Sequence, residues 1–216
     1  MLAVFKEHKG FWTPARKRSM WLGVLLLALS VVVQIVLGRF SARVAVNAAP
    51  VRDIFLDNLP LVNLDPIIVS GAIILWVFAW VLLIVNPRYL IFSTKAIALY
   101  IVSRAFFFSL THVGPYPLQY SPGPHNHGYG LYHLITFQGN FFYSGHTAFP
   151  FLLALIFWDN KYLRYLFLFL AIFFGASVLL AHVHYSIDVF AAPFIVYGMY
   201  VITAKLFPRD YALFAS

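Results

Sequence analysis

Four histidine and aspartate side chains stand in two short stretches between long apolar segments, and three of them are candidates for chemistry. His184 and Asp188 lie in AHVHYSIDVF (181–190), and His146 lies in QGNFFYSGHTAFP (138–150). His184 and Asp188 are four residues apart, so on a helix they would share one face. A carboxylate that bonds one ring nitrogen fixes the tautomer of an imidazole and leaves the other nitrogen able to act as a nucleophile. The pair therefore predicts a nucleophilic His184 oriented by Asp188.

The second stretch predicts a site for an anion. Ser144 precedes Gly145 and His146 at the expected start of a helix, where Ser144 can cap the first turn. Free amides and the positive end of the helix dipole favour a negative group there, and Gly145 lets an oxyanion approach the backbone closely. His146 is then placed to give a proton to a leaving oxygen. Together, the two stretches predict phosphoryl transfer through a phosphohistidine.

Long apolar segments must position these residues. Hydrophobic residues make up 62% and charged residues 10% of the 216-residue chain, against about 45–50% and about 25% in soluble domains. The expected solvent is therefore the bilayer, and six segments are long enough, or nearly so, to cross a core of about 30 Å. We predict that they are helices, because a lone span in lipid must satisfy its own backbone hydrogen bonds. They run approximately over 21–37, 67–85, 96–113, 141–158, 165–183 and 189–207.

The predicted fold class is thus an all-α integral membrane protein, a six-transmembrane-helix bundle. Residues 1–20 are expected to form a cytoplasmic or interfacial N-terminal segment, and residues 21–216 a single membrane catalytic domain. We interpret the first apolar segment as a retained helix, because arginines and no small-residue cleavage site follow it.

The basic residues predict the orientation of the bundle. Of the 15 Lys and Arg residues, eleven fall on the side of the N-terminus, three fall in the first loop on the other side, and Arg104 lies within the third span. This is a positive-inside distribution with both termini cytoplasmic. The three ionisable residues should then meet at the non-cytoplasmic face, with the plasma membrane as the expected location. The net charge of +8 reflects this orientation and contact with headgroups, so we expect no nucleic acid partner.

The motifs resemble those of the phosphatidic acid phosphatase type 2 superfamily. Residues 144–146 are similar to its second motif, and Ser177 followed by His184 and Asp188 is similar to its third. In particular, they resemble the sphingomyelin synthase branch of lipid phosphotransferases, whose Cys-Gly-Asp, three residues and Ser-Gly-His-Thr correspond to residues 138–147. The branch's His-Tyr-Thr-x-Asp-Val corresponds to 184–189. Two weaker likenesses cover 98–117, with Arg104, and 50–60, with Asp53.

This resemblance implies a six-helix bundle with His184 as the nucleophile, Asp188 as its orienter and His146 as the general acid. It implies no metal and no cofactor. Asn140 stands where the synthases carry aspartate, and it can form hydrogen bonds but supplies no charge. The expected substrate-binding residues are Arg104, Ser144, Gly145, Tyr143, Tyr185 and Asn140.

The number of basic residues near the predicted site indicates how much negative charge the substrate carries. The phosphatase branch carries further basic residues in its first motif and directly after the serine of its third, whereas Val178 follows Ser177 here. Arg104 is the only basic residue in the predicted spans apart from Lys205. A phosphomonoester carries nearly two negative charges and a phosphodiester one, so this pocket fits a diester. We predict transfer of a phospho-headgroup from a phospholipid to a lipid alcohol or to water.

Two alternatives stay open, one enzymatic and one not. The chain could be a lipid phosphate phosphatase that acts on substrates such as phosphatidic acid. It could instead be a non-enzymatic metal-binding membrane protein, because many histidines fall on the predicted outer side and imidazole suits transition metals. These are His112, His125, His127, His133, His146, His182 and His184. The sequence is compatible with a homo-oligomer.

Overall fold

The described part of the chain is built from helices. A computed structural model describes residues 8–45, 47–118 and 141–214, and it contains no strand within these ranges. This confirms the all-α prediction. The helices are α1 (Pro14–Ala45), α2 (Asp65–Val85), α3 (Pro87–Leu110), α4 (Gly145–Ile156), α5 (Lys161–Leu180), α6 (Ser186–Leu206) and the short α7 (Pro208–Tyr211).

Five of these helices are long and apolar enough to cross a membrane, namely α1, α2, α3, α5 and α6. They indicate a multi-pass membrane protein. Helix α1 begins at Pro14, and the domain boundary at residue 20 stays a prediction. The fourth differs from the prediction over 141–158, because α4 has only 12 residues, or about 18 Å. The count of six spanning helices is therefore not confirmed.

The short α4 lies inside the protein rather than against lipid. Most of its side chains are buried, and Phe149 stacks on Trp76 of α2 with 4.1 Å between ring centroids. It packs chiefly against α5 and α6. Irregular backbone is tolerated at membrane depth where protein surrounds it, and Tyr143 and Ser144, just before α4, are fully buried. A helix in this position need not match the thickness of the bilayer.

A buried ion pair joins three helices. Lys95, which the predicted spans leave in a cytoplasmic loop, lies inside α3 and is 2% exposed. Its Nζ pairs with the Asp210 carboxylate of α7 and donates to Ser19 Oγ of α1 at 2.6 Å. The loop prediction is wrong because α3 begins at Pro87, and proline is favoured in the first turn of a helix. Losing one partner would leave a buried charge unpaired.

The link between α5 and α6 turns through a left-handed residue. His182 has a φ of 54°, a value that residues other than glycine rarely adopt. Its amide donates to the Leu179 carbonyl at 3.0 Å, and the Val183 amide donates to the Val178 carbonyl at 2.9 Å. This is the Schellman arrangement, which usually carries glycine at the left-handed position. The chain therefore reverses directly after α5 and brings His184 to the start of α6.

We expect the His182→Gly variant to be more stable than His182→Ala by about 1 kcal/mol. Both changes remove the same imidazole, whose two nitrogens are buried without a hydrogen-bond partner among the described residues. Only alanine keeps a Cβ in the left-handed conformation. Thermal unfolding of the two variants in one detergent measures the difference, and equal midpoints would contradict this backbone conformation.

Candidate active site

The three ionisable residues of the two motifs lie together at one end of the bundle, where α3 and α5 end and α4 and α6 begin. The rings of His146 and His184 have centroids 6.1 Å apart. His184 Nδ1 lies 3.3 Å from Asp188 Oδ2, and both of these side chains are buried. A main-chain hydrogen bond from the Ser144 amide to the Asp188 carbonyl, 2.9 Å long, joins the two motifs. The site is therefore assembled by the starts of two helices.

The contact between His184 and Asp188 arises differently from the sequence argument. The two residues do not share a helix face, because α6 begins at Ser186 and His184 precedes it. Asp188 Oδ2 also accepts a hydrogen bond from the Tyr185 amide at 3.0 Å. Asp188 thus caps α6 and holds the imidazole with the same oxygen. Helix capping and orientation of the imidazole are therefore combined in one carboxylate.

Arg104 lies against the start of α4. Its Nε donates to the Tyr143 carbonyl at 2.9 Å. A Cβ added at Gly145 would lie 3.3 Å from Arg104 Nε and 3.2 Å from Tyr100 Oη, which is tighter than most Cβ contacts. Glycine therefore lets the guanidinium approach the first turn of α4, whose amides have no intrahelical acceptors. A cation and a helix N-terminus side by side favour an anion between them.

The hydroxyls of the two predicted tyrosines bond to protein groups. Tyr143 Oη and Ser103 Oγ lie 2.8 Å apart inside the bundle. Tyr185 Oη donates to the Gly114 carbonyl at 2.8 Å. These contacts favour structural roles for both tyrosines, and their contact with substrate stays a prediction.

Of the other predicted substrate-binding residues, the structure describes Ser144 but not Asn140. Ser144 occupies the N-cap position of α4, but its side chain makes no capping hydrogen bond. Its Oγ instead accepts from Thr147 Oγ1 at 3.5 Å. Asn140 lies outside the described residues. Sequence reasoning missed Tyr100, which lies one helical turn before Arg104 and could have been found from that four-residue spacing.

The described histidines give no support to a metal site. In the ranges the structure describes, no three His, Cys, Asp or Glu side chains are grouped so that they could hold a metal ion. His125, His127 and His133 lie outside these ranges. The metal-binding alternative therefore stays a prediction that the described histidines do not support.

The fold and the site define a multi-pass membrane protein with a histidine–aspartate pair, a second histidine and an arginine at one end of a helical bundle. Residues 139–205 match the family model described as PAP2 superfamily C-terminal. The match covers α4, α5 and nearly all of α6, with both motifs. It confirms the resemblance at the level of the superfamily and indicates a phosphatase or phosphotransferase of lipid phosphates. The sphingomyelin synthase-like branch stays a prediction. No curated protein and no solved structure matches the chain.

Proposed function

We propose that the protein is a metal-independent phosphotransferase that moves a phospho-headgroup from a phospholipid to a lipid alcohol or to water. The observation that carries the proposal is the pair of imidazoles 6.1 Å apart, of which one bonds a carboxylate and the other follows the start of α4. At this separation both rings can contact one phosphoryl group. From the distribution of basic residues we propose that this end faces the non-cytoplasmic side of the plasma membrane.

In the first half-reaction His184 is the nucleophile. Its Nδ1 faces the Asp188 carboxylate at 3.3 Å, so Nε2 is the nitrogen left to attack phosphorus. A P–N bond forms as the P–O bond to diacylglycerol breaks, and protonated His146 gives its proton to the departing oxygen. Arg104 and the first-turn amides of α4 stabilise the charge on the other phosphoryl oxygens.

In the second half-reaction His146 reverses its role. Neutral His146 takes the proton of the acceptor hydroxyl as the acceptor oxygen attacks phosphorus. The P–N bond to His184 breaks, and the free imidazole is restored. An acceptor lipid alcohol gives a new phospholipid, and water gives a free phospho-headgroup.

The arrangement of cations supports a phosphodiester substrate. Lys95 lies nine residues before Arg104 on α3, about 14 Å along the helix axis, and its charge is paired with Asp210. Arg52 is solvent-exposed and paired with Asp57. Neither adds a second cation beside Arg104. Among the described contacts, Arg104 is the cation placed at the start of α4, and one guanidinium matches the single charge of a diester better than the near-double charge of a monoester.

A panel of phospholipids tests the proposal. Purified protein in vesicles is given phosphatidylcholine, phosphatidylethanolamine, phosphatidylglycerol and phosphatidic acid, each labelled in the phosphate, with and without ceramide or diacylglycerol as acceptor. We expect at least one diester to lose its labelled headgroup to an acceptor or to water, with release of diacylglycerol. Release of inorganic phosphate from phosphatidic acid alone would support the phosphatase alternative instead.

A further inference from the structure

We infer that Asp53 is a positioning residue that holds the start of α6, and with it Asp188, in register with His184. The inference rests on the proposed function, because it concerns the same site. Asp53 lies in the loop between α1 and α2, far from the motifs in sequence. None of the described hydrogen bonds of Asp53 goes to His146, His184 or Asp188. Its effect on these residues is therefore indirect.

The two oxygens of Asp53 have different partners. Oδ2 accepts a hydrogen bond from the Ser186 amide at 2.7 Å. Oδ1 accepts from the Phe55 amide at 2.9 Å and from the Leu56 amide at 3.2 Å. The residue is only 7% exposed. Oδ1 therefore stabilises the local fold of the loop, and Oδ2 binds the loop to the start of α6.

The charge of Asp53 strengthens this link. Burial by itself raises the pKa of Asp53, but hydrogen bonds from the three amides and from the Ser186 hydroxyl outweigh it, so the pKa of this carboxyl lies below its ordinary value. The group is therefore ionised at neutral pH. A carboxylate at a helix N-terminus makes a charge-assisted hydrogen bond, which is stronger than a neutral one.

The amide that Asp53 binds is next to the catalytic pair. Ser186 is the first residue of α6, and Asp188 belongs to the same turn. Asp188 Oδ2 bonds the Tyr185 amide and lies beside His184 Nδ1. Asp188 and Asp53 thus accept hydrogen bonds from two consecutive amides at the start of α6, those of Tyr185 and Ser186. If the Ser186 amide were released, the first turn of α6 could shift, and the distance between Asp188 and His184 would shift with it.

Other contacts make the loop a firm support. Leu56 is 2% exposed and packs in one buried cluster with Tyr185 and Val189. The Val62 amide donates to the carbonyl of Leu180, the last residue of α5, at 2.8 Å. The loop is therefore fixed on both sides of the link that carries His184.

The test is Asp53→Asn, with Asp57→Asn as its matched control. Asparagine has one acceptor oxygen, so it can serve the loop amides or the Ser186 amide, but not both. Asp57 undergoes the same chemical change in the same loop, and its described contacts are with Arg52, Tyr116 and the Asp53 amide rather than with α6. We expect kcat of the Asp53→Asn enzyme to fall about tenfold or more, with KM within about twofold of wild type. The Asp57→Asn enzyme should keep both values.

A second variant covers the possibility that asparagine prevents folding. Serine at position 53 can still bond the loop amides, more weakly, but it is too short to reach Ser186. Monodisperse Asp53→Ser protein should show the same fall in kcat at unchanged KM. Wild-type kcat in either folded variant would overturn the inference. Failure of both variants to fold would also overturn it, since Asp53 would then be required for folding rather than for positioning. An inactive wild-type enzyme would instead remove the proposed function and this inference with it.

Discussion

Replacing His184 with glutamine is expected to lower headgroup transfer by at least about 10⁴-fold, since loss of one residue of a catalytic triad costs about 10⁴- to 10⁶-fold in kcat. Glutamine keeps much of the volume of the buried ring but cannot form a P–N bond. Brief exposure of wild-type enzyme to phosphate-labelled phospholipid should leave acid-labile label on the protein. The His184→Gln enzyme should carry none.

His112→Gln is the matched control for this experiment. His112 follows α3 and makes an edge contact with Phe40, with 5.8 Å between ring centroids. The same substitution there should leave turnover and labelling near the wild-type level. Turnover of His184→Gln within tenfold of wild type would exclude His184 as the nucleophile.

The second large effect is expected at His146, and it should depend on the leaving group. His146→Gln should lower transfer from a phospholipid by about 10²–10⁴-fold, because the diacylglycerol oxygen then departs without a proton. A p-nitrophenyl ester of the same phospho-headgroup has a leaving group that is stable as an anion and needs no proton. With that substrate the formation of the labelled intermediate should be nearly as fast in the variant as in wild type.

The two substrates separate a general acid from a structural residue. His146 lies among buried groups, and its ring centroid is 6.2 Å from that of Phe174. Loss of the ring can therefore also lower activity by disturbing the packing. Such an effect would slow both substrates equally, and equal losses would therefore contradict the acid role. His184→Gln should slow both substrates in any case, which gives the expected pattern for loss of the nucleophile.

Composition predicts the fold class and local spacing singles out the residues of the candidate site, because both signals are short-range or averaged. The 62% hydrophobic content requires an apolar environment. The polar residues of the two motifs interrupt apolar segments, where ionisable groups are rare and mostly functional. These arguments need no knowledge of which helices touch.

The details that the sequence does not predict depend on tertiary contacts. Apolar length alone cannot show that α4 is short, because its apolar residues face protein rather than lipid. The burial of Lys95 depends on Asp210, which is 115 residues away. His182 occupies a position where glycine is usual, so the turn that presents His184 has no glycine to mark it. Asp53 appears in the sequence only as a weak likeness, and its three amide partners are visible only in the fold.

The shortness of α4 has a consequence for how a lipid reaches the histidines. Tyr143, just before α4, is bonded to Arg104, which lies six residues before the last residue of α3, or about 9 Å along its axis. The start of α4 thus lies well short of the end of α3 along the axis of that helix. Under the proposed function, the phosphate of a phospholipid would have to pass the end of α3 to reach the histidines while its acyl chains stay in the hydrocarbon.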